Sequence, residues 1–196
     1  MEKKKILVTG GTGLVGTSLK NYIIKNNLDK IDEYIFLSSK ECNLINYDET
    51  ENIFEKIQPS HVIHLAVKLM AGNQMMNYPV DLLLNNIDIN TNVLKCCYKF
   101  NIKKCISVLS SFAYPKNASI PIDEDQLHEG KCHENYESYA FAKRHLEILA
   151  RSYRKQYNCN FINIIPSNIF GPIENAREDG PVVEALIKKC YNSKKK

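Results

Sequence analysis

Tyr139 and Lys143 stand four residues apart, so any helix that carries both presents them on one face. A phenol has a free pKa of about 10, and a neighbouring ammonium favours the phenolate, so such a pair can exchange protons near neutral pH. The same spacing also arises by chance on solvated helices. Its meaning depends on neighbours, and Ser110 with Ser111 closes an apolar run from Cys105 to Leu109. If that run is a strand of an open parallel sheet, its end faces a crevice shared with the ends of the other strands. Ser110, Tyr139 and Lys143 are therefore candidates for general acid–base chemistry at one site.

A second motif follows the apolar stretch Lys5 to Thr9. It reads Thr9 Gly10 Gly11 Thr12 Gly13 Leu14 Val15 Gly16, with Gly10, Gly13 and Gly16 at G-x-x-G-x-x-G spacing. Glycines here permit a tight turn, close approach of a pyrophosphate to backbone N–H groups, and close packing of the following helix. Alone, the pattern also fits a plain strand-to-helix turn. Between a strand and an amphipathic helix it points to a dinucleotide, beside whose nicotinamide Ser110, Tyr139 and Lys143 would converge. The adenosine ribose is read at the end of the second strand, by an acid for NAD or a cation for NADP. That strand ends Ser38 Ser39 Lys40, with no acid before Glu41, which suits the 2′-phosphate of NADP. A surface lysine on a turn is the other account of Lys40.

These residues need a scaffold, and short apolar runs alternate with segments of helical period. The pattern predicts strands at Lys5 to Thr9, Tyr34 to Leu37, His61 to Leu65, Cys105 to Leu109 and Phe161 to Ile165. Helices are predicted at Leu14 to Lys25, Glu49 to Lys56, Leu82 to Phe100, Tyr139 to Tyr157 and Pro181 to Tyr191. The strands are apolar throughout, as expected when both faces are buried. The fold class is α/β, a doubly wound parallel sheet of the Rossmann type. Residues 112–137 form a long connection, of the kind that carries function or small elements of its own. Residues 1–180 read as the NADP-binding domain and 181–196 as the start of a substrate-binding region, with most of a substrate-capping part missing.

Composition narrows the function classes. The formal charge is +4 in 196 residues, but Lys3 to Lys5 and Lys194 to Lys196 hold six of the 26 cations. The body is close to neutral, which argues against a nucleic-acid partner. No apolar run approaches the ~20 residues of a membrane span, and the default compartment is the cytoplasm. Seven scattered cysteines without a C-x-x-C pair argue for reduced thiols. Cys96 and Cys97 read as buried small residues, and His61 and His64 as satisfied structural histidines. No metal site is expected, since His128 and His133 have no partner at ligand spacing.

On these motifs, with His64 Leu65 Ala66 and the stretch Pro166 Ser167 Asn168 Ile169 Phe170 Gly171 Pro172, the chain resembles the extended short-chain dehydrogenases/reductases. This is the family of nucleotide-sugar epimerases and reductases. Within it the chain is most similar to the GDP-L-fucose synthases, from Lys4 to about Lys189. The resemblance implies NADPH-dependent epimerisation of GDP-4-keto-6-deoxy-D-mannose at carbons 3 and 5, then reduction at carbon 4. It assigns catalysis to Ser110, Tyr139 and Lys143, with Tyr139 protonating the carbonyl oxygen and Lys143 lowering the Tyr139 pKa. It assigns the cofactor to Gly10, Gly11, Thr12, Gly13, Leu14, Val15, Gly16, Ser39, Lys40, Leu65, Ala66, Lys143, Pro166 and Asn168. Ser110, Ser111 and Asn168 would meet the GDP-sugar.

The resemblance has gaps. Phe112 stands where the family has a cysteine, and Ile173 where it has a histidine, and neither side chain can exchange a proton. The usual glycine pair after the third strand reads Met70 Ala71, and Ile173 to Asp179 is one residue short. A carbon-4 reductase without epimerisation, or a non-catalytic dinucleotide-binding protein, are the alternatives. The long apolar helices carrying Leu82 to Phe100 and Tyr139 to Tyr157 also imply a homodimer, which relatives form through a four-helix bundle.

Overall fold

The apolar runs become five parallel strands: β1 (Lys5–Thr9), β2 (Glu33–Leu37), β3 (His61–His64), β4 (Lys104–Val108) and β5 (Phe161–Ile164). The structure is a computed structural model and describes residues 3–69, 74–171 and 182–193. In the sheet the strands run in the order β2-β1-β3-β4-β5. Thr9 at the end of β1 therefore lies between Leu37 of β2 and His64 of β3. The chain leaves β1 to one side and returns on the other, so the loops after β1 and β3 diverge and open a crevice between them.

The helices are α1 (Leu14–Lys25), α2 (Tyr47–Ile57), α3 (Gln74–Asn77), α4 (Pro79–Lys99), α5 (Glu137–Tyr157) and α6 (Val182–Ser193). Right-handed crossovers carry α1 over one face of the sheet and α2, α4 and α5 over the other, with α4 packed between α2 and α5. This is the doubly wound Rossmann-type architecture that the alternating pattern implies.

Caps explain where the helices depart from the apolar pattern. Asn46 accepts the Glu49 N–H at 3.1 Å, so α2 starts two residues before Glu49. Pro79 occupies the first turn of α4 and begins that helix ahead of Leu82. Asn158, at φ 55°, closes α5 in the left-handed conformation.

Leu7, Val8, Val62, Val93, Leu94, Leu146 and Phe161 form the fully buried centre of the molecule. Cys96 and Cys97 are buried within it, and all seven cysteines are free thiols. Outer strand β5 buries Phe161 but leaves Ile162 and Ile164 40% and 48% exposed. The long connection holds three short 3-10 turns, Ser111–Ala113, Glu124–His128 and Glu134–Tyr136. Buried Arg144 fastens it to α5, donating from Nε to the Ala113 carbonyl at 2.7 Å and from Nη1 to the Gly130 carbonyl at 2.9 Å. Among the described residues no helix is long and apolar enough to cross a membrane.

Candidate active site

The turn after β1 is shaped by what glycine lacks. Gly10 has φ +70°, and a Cβ there would stand 2.8 Å from the Ala66 nitrogen on the neighbouring strand exit. A Cβ at Gly16 would stand 2.6 Å from the carbonyl oxygens of Gly10 and Gly11, so only glycine lets α1 seat on the turn. Gly13 is the N-cap of α1 and offers no side-chain bond to its first-turn amides. Those N–H groups remain directed at the crevice, a setting that suits an anion.

From this turn a cleft of about 660 Å3 runs past Ser38, Ser39 and Cys42 at one end to Ser110, Tyr139 and Lys143 at the other. It is lined by Gly10, Thr12, Gly13, Leu14, Val15, Gly16, Ser39, Leu65, Ala66, Ser110, Ser111, Pro166 and Asn168 of the expected set, together with Tyr139 and Lys143. Two expected residues lie outside the lining. Gly11 is buried behind the turn, its N–H donating to the Leu37 carbonyl at 2.9 Å, and Lys40 is exposed. The strand end is not without an acid either. Glu41 folds back so that its carboxylate accepts from the Ser38 N–H at 2.8 Å and hydroxyl at 2.6 Å, bonds that lower its pKa.

Sequence reasoning missed how the walls are held. Asn86, Asn90 and Asn92 are buried on α4 and bond outward to loops and to α5. Asn86 accepts the Lys68 N–H at 2.8 Å and donates to the Lys68 carbonyl at 3.0 Å, clamping the segment after β3 that lines the cleft. Asn92 donates to the carbonyls of Leu44 and Ile45, which line the cleft near Ser39. An apolar helix interrupted by asparagines at 86, 90 and 92 was the available signal.

Ser110 lies two residues beyond β4 and caps the Ser111–Ala113 turn, its hydroxyl accepting the Phe112 N–H at 3.3 Å. Tyr139, in the first turn of α5, is 7% exposed, and the Ser110 hydroxyl lies on the same wall of the cleft. That hydroxyl favours the phenolate, but burial outweighs it and the phenol pKa is raised. Lys143 is 5% exposed, its Nζ donates to the Val108 carbonyl at 2.6 Å, and burial lowers its pKa to about 8. Here the structure corrects the expectation that Lys143 depresses the Tyr139 pKa. The ammonium lies 5.8 Å from the Tyr139 ring centre and is engaged by a backbone carbonyl, so desolvation decides the sign.

The chain matches the NAD dependent epimerase/dehydratase family over residues 6–196. It belongs to that family. Among relatives, the GDP-L-fucose synthase of Dictyostelium discoideum is 43% identical over 190 residues, covering 96% of this chain and 59% of the relative. The crystal structure of a GDP-L-fucose synthetase from Naegleria fowleri bound to NADP superposes with a TM-score of 0.91 at 40% identity, over 98% of this chain and 59% of that one. A GDP-mannoheptose C4 reductase from Campylobacter jejuni with NADP bound gives a TM-score of 0.87 at 28% identity, over 96% and 56%. The chain thus spans less than two thirds of the length of these relatives.

For an epimerase/dehydratase family member the fit to a dinucleotide rests on the turn itself, where Gly10 and Gly16 leave a cradle that a Cβ would fill. At the far end Phe112 is held in place, stacked on Tyr136 at 4.5 Å and edge-on to Tyr139 at 6.4 Å between ring centres. The side chain at this position is an aromatic wall of the cleft, not a proton carrier. Ile173, Met70 and Ala71, the other departures from the family pattern, lie outside the described residues.

Proposed function

We propose that the chain is a GDP-L-fucose synthase-like, NADPH-dependent enzyme that reduces GDP-4-keto-6-deoxy-D-mannose at carbon 4, after epimerisation at carbons 3 and 5. The observation that carries this reading is the meeting of Ser110, Tyr139 and Lys143 in the same cleft that the glycine turn opens. The names of the relatives support the GDP-sugar and NADP. When bound, NADPH would supply the hydride. The turn from Gly10 to Gly16 would hold its pyrophosphate, and Ser39 its ribose phosphate, with Lys40 near enough in sequence to reach over from the surface.

In this reading Tyr139 is the acid. Burial keeps its proton on at neutral pH, and the Ser110 hydroxyl, which lines the cleft with the phenol, would bond the same keto oxygen. Lys143, released from Val108, would hold a ribose hydroxyl, and its positive charge would stabilise the phenolate left when the proton departs. Ser111 and Asn168 line the cleft beside this point and would bind the sugar.

A second reading is favoured by Phe112. Stacked between Tyr136 and Tyr139, it leaves no acid or base at a position where epimerising relatives are expected to have one, which fits a carbon-4 reductase alone. The experiment is NADPH consumption by the purified chain given GDP-4-keto-6-deoxy-D-mannose, with Tyr139→Phe as control. Turnover lost in the control supports the reductase, and the sugar product then decides between the readings. No turnover with NADPH still bound supports a non-catalytic dinucleotide-binding protein.

The reading extends to assembly and compartment. Leu84 and Tyr98 on α4 and Phe141 and Ile148 on α5 are between 41% and 53% exposed, a surface suited to a second copy. Seven free thiols suit a reducing compartment such as the cytoplasm. Residues 1–180 would form the NADP-binding domain, and 181–196 would begin the substrate-binding region.

A further inference from the structure

Beneath the cleft runs a chain of buried hydrogen bonds that the acid–base residues do not use. The Ala66 N–H donates to Thr9 Oγ1 at 3.2 Å, Thr9 Oγ1 meets His64 Nδ1 at 2.8 Å, and His64 Nε2 meets Asn90 Oδ1 at 3.1 Å. Asn90 Nδ2 then donates to the Ala142 carbonyl at 3.2 Å. Thr9, His64 and Asn90 are 0%, 1% and 2% exposed, so water does not substitute for any link.

The direction of the bonds follows from the Asn90 end for a neutral ring. A backbone N–H can only donate, so Thr9 Oγ1 accepts from Ala66 and keeps a hydrogen that a bare His64 Nδ1 can accept. A backbone carbonyl can only accept, so Asn90 must present its NH2 to Ala142 and its oxygen to His64. His64 is then held as the neutral tautomer with its proton on Nε2. A second proton would meet the Thr9 oxygen's hydrogen on one side and lie near the Lys143 ammonium, and both burial and that charge lower the His64 pKa, to about 4.

We propose that His64 is a positioning residue for Tyr139 and Lys143: through Asn90 it fixes α5 at Ala142, the residue before Lys143, and through Thr9 it fixes Ala66 on the opposite wall of the cleft. The geometry supports this because the relay joins four elements, β1, β3, α4 and α5, at the point where the crevice opens. A helix held only by apolar contacts can slide or roll by fractions of an ångström, whereas a directional bond to one carbonyl sets its rotation. The kinetic part of the proposal rests on the reductase reading, and the spectroscopic part does not.

The test begins with the ring itself. In 15N spectra of the full chain, the His64 signals, assigned by their loss in His64→Gln, should report a protonated Nε2 and a bare Nδ1 between about pH 5.5 and 8.5. The opposite tautomer, or an imidazolium in that range, overturns the proposal. With 13C-labelled lysine, the Lys143 titration midpoint should move in His64→Leu and stay close to native in His64→Gln, which can still donate to Asn90. An unmoved midpoint in His64→Leu overturns it. For turnover of NADPH with the keto sugar, His64→Leu should lower kcat about tenfold or more while NADPH affinity changes by less than about threefold. In a Lys143→Met background the same change should cost nothing further; a loss confined to affinity, or a fully additive one, overturns the proposal. Thr9→Val, which keeps the side-chain shape and removes the hydroxyl, carries the same measurements if His64→Leu does not fold. If the native chain shows no turnover, the reductase reading fails, and the two resonance measurements still decide the relay.

Discussion

Lys143 sits where burial works against its charge, and the cost is visible in its pKa, lowered from 10.5 to about 8. That displacement corresponds to a cost on the order of 3 to 4 kcal/mol below pH 8, despite the bond to the Val108 carbonyl. Lys143→Met should therefore lower turnover by about 10²-fold, leaving a measurable remainder, yet raise stability at pH 7 by about 1 to 2 kcal/mol. The sign has a pH signature. Between pH 8 and 10.5 the folded native chain has released this proton while the unfolded chain still holds it, so native stability gains on the variant as pH rises. Paired urea titrations at pH 7 and about pH 10 should show the gap closing; a constant gap would contradict the burial argument. Tyr139 carries the complementary prediction. Its raised pKa keeps it an acid at neutral pH, so Tyr139→Phe should lower kcat by about 10²- to 10⁴-fold with NADPH affinity unchanged, which stopped-flow and fluorescence titration would separate.

At the scale of elements, the asparagines of α4 do what no apolar helix face can, since they satisfy backbone groups of loops that would otherwise be buried unpaired. Asn86→Leu would strand both the N–H and the carbonyl of Lys68, and should cost about 2 to 3 kcal/mol in denaturant unfolding and weaken NADPH binding. Wild-type stability in that variant would refute the clamp. These roles also mark where legibility in the sequence ended. The five strands, α1 and the glycine turn were readable because periodicity and the needs of a tight turn are local. Helix starts shifted because capping by Asn46 and Pro79 is decided by single residues outside the apolar pattern. The tie from Asn86 to Lys68 spans 18 residues and that from Asn92 to Leu44 spans 48, so nothing nearby in the chain announced them. The sign of the Tyr139 pKa was unreadable for the same reason: spacing gives proximity to Lys143, while burial and the Val108 carbonyl come from the assembled sheet.

For the whole molecule, two apolar surfaces compete to explain assembly. One lies on α4 and α5, where Leu84, Tyr98, Phe141 and Ile148 stand exposed on helices already packed against each other. The other is the open side of β5, with Ile162 and Ile164. The β5 side is one short edge strand, whereas the first surface is built from two long helices packed on each other. Two helices on each copy, presenting apolar residues along their outer stripes, would form a four-helix contact that buries both stripes at once. The expected mass by sedimentation at micromolar concentration is therefore twice 22.5 kDa. Ile148→Glu, which puts a charge on the exposed apolar stripe of α5, should return the chain to 22.5 kDa with its circular dichroism intact. Ile162→Glu should leave the dimer unchanged. The reverse pattern would move the interface to β5, and a native monomer would reject the helix contact outright.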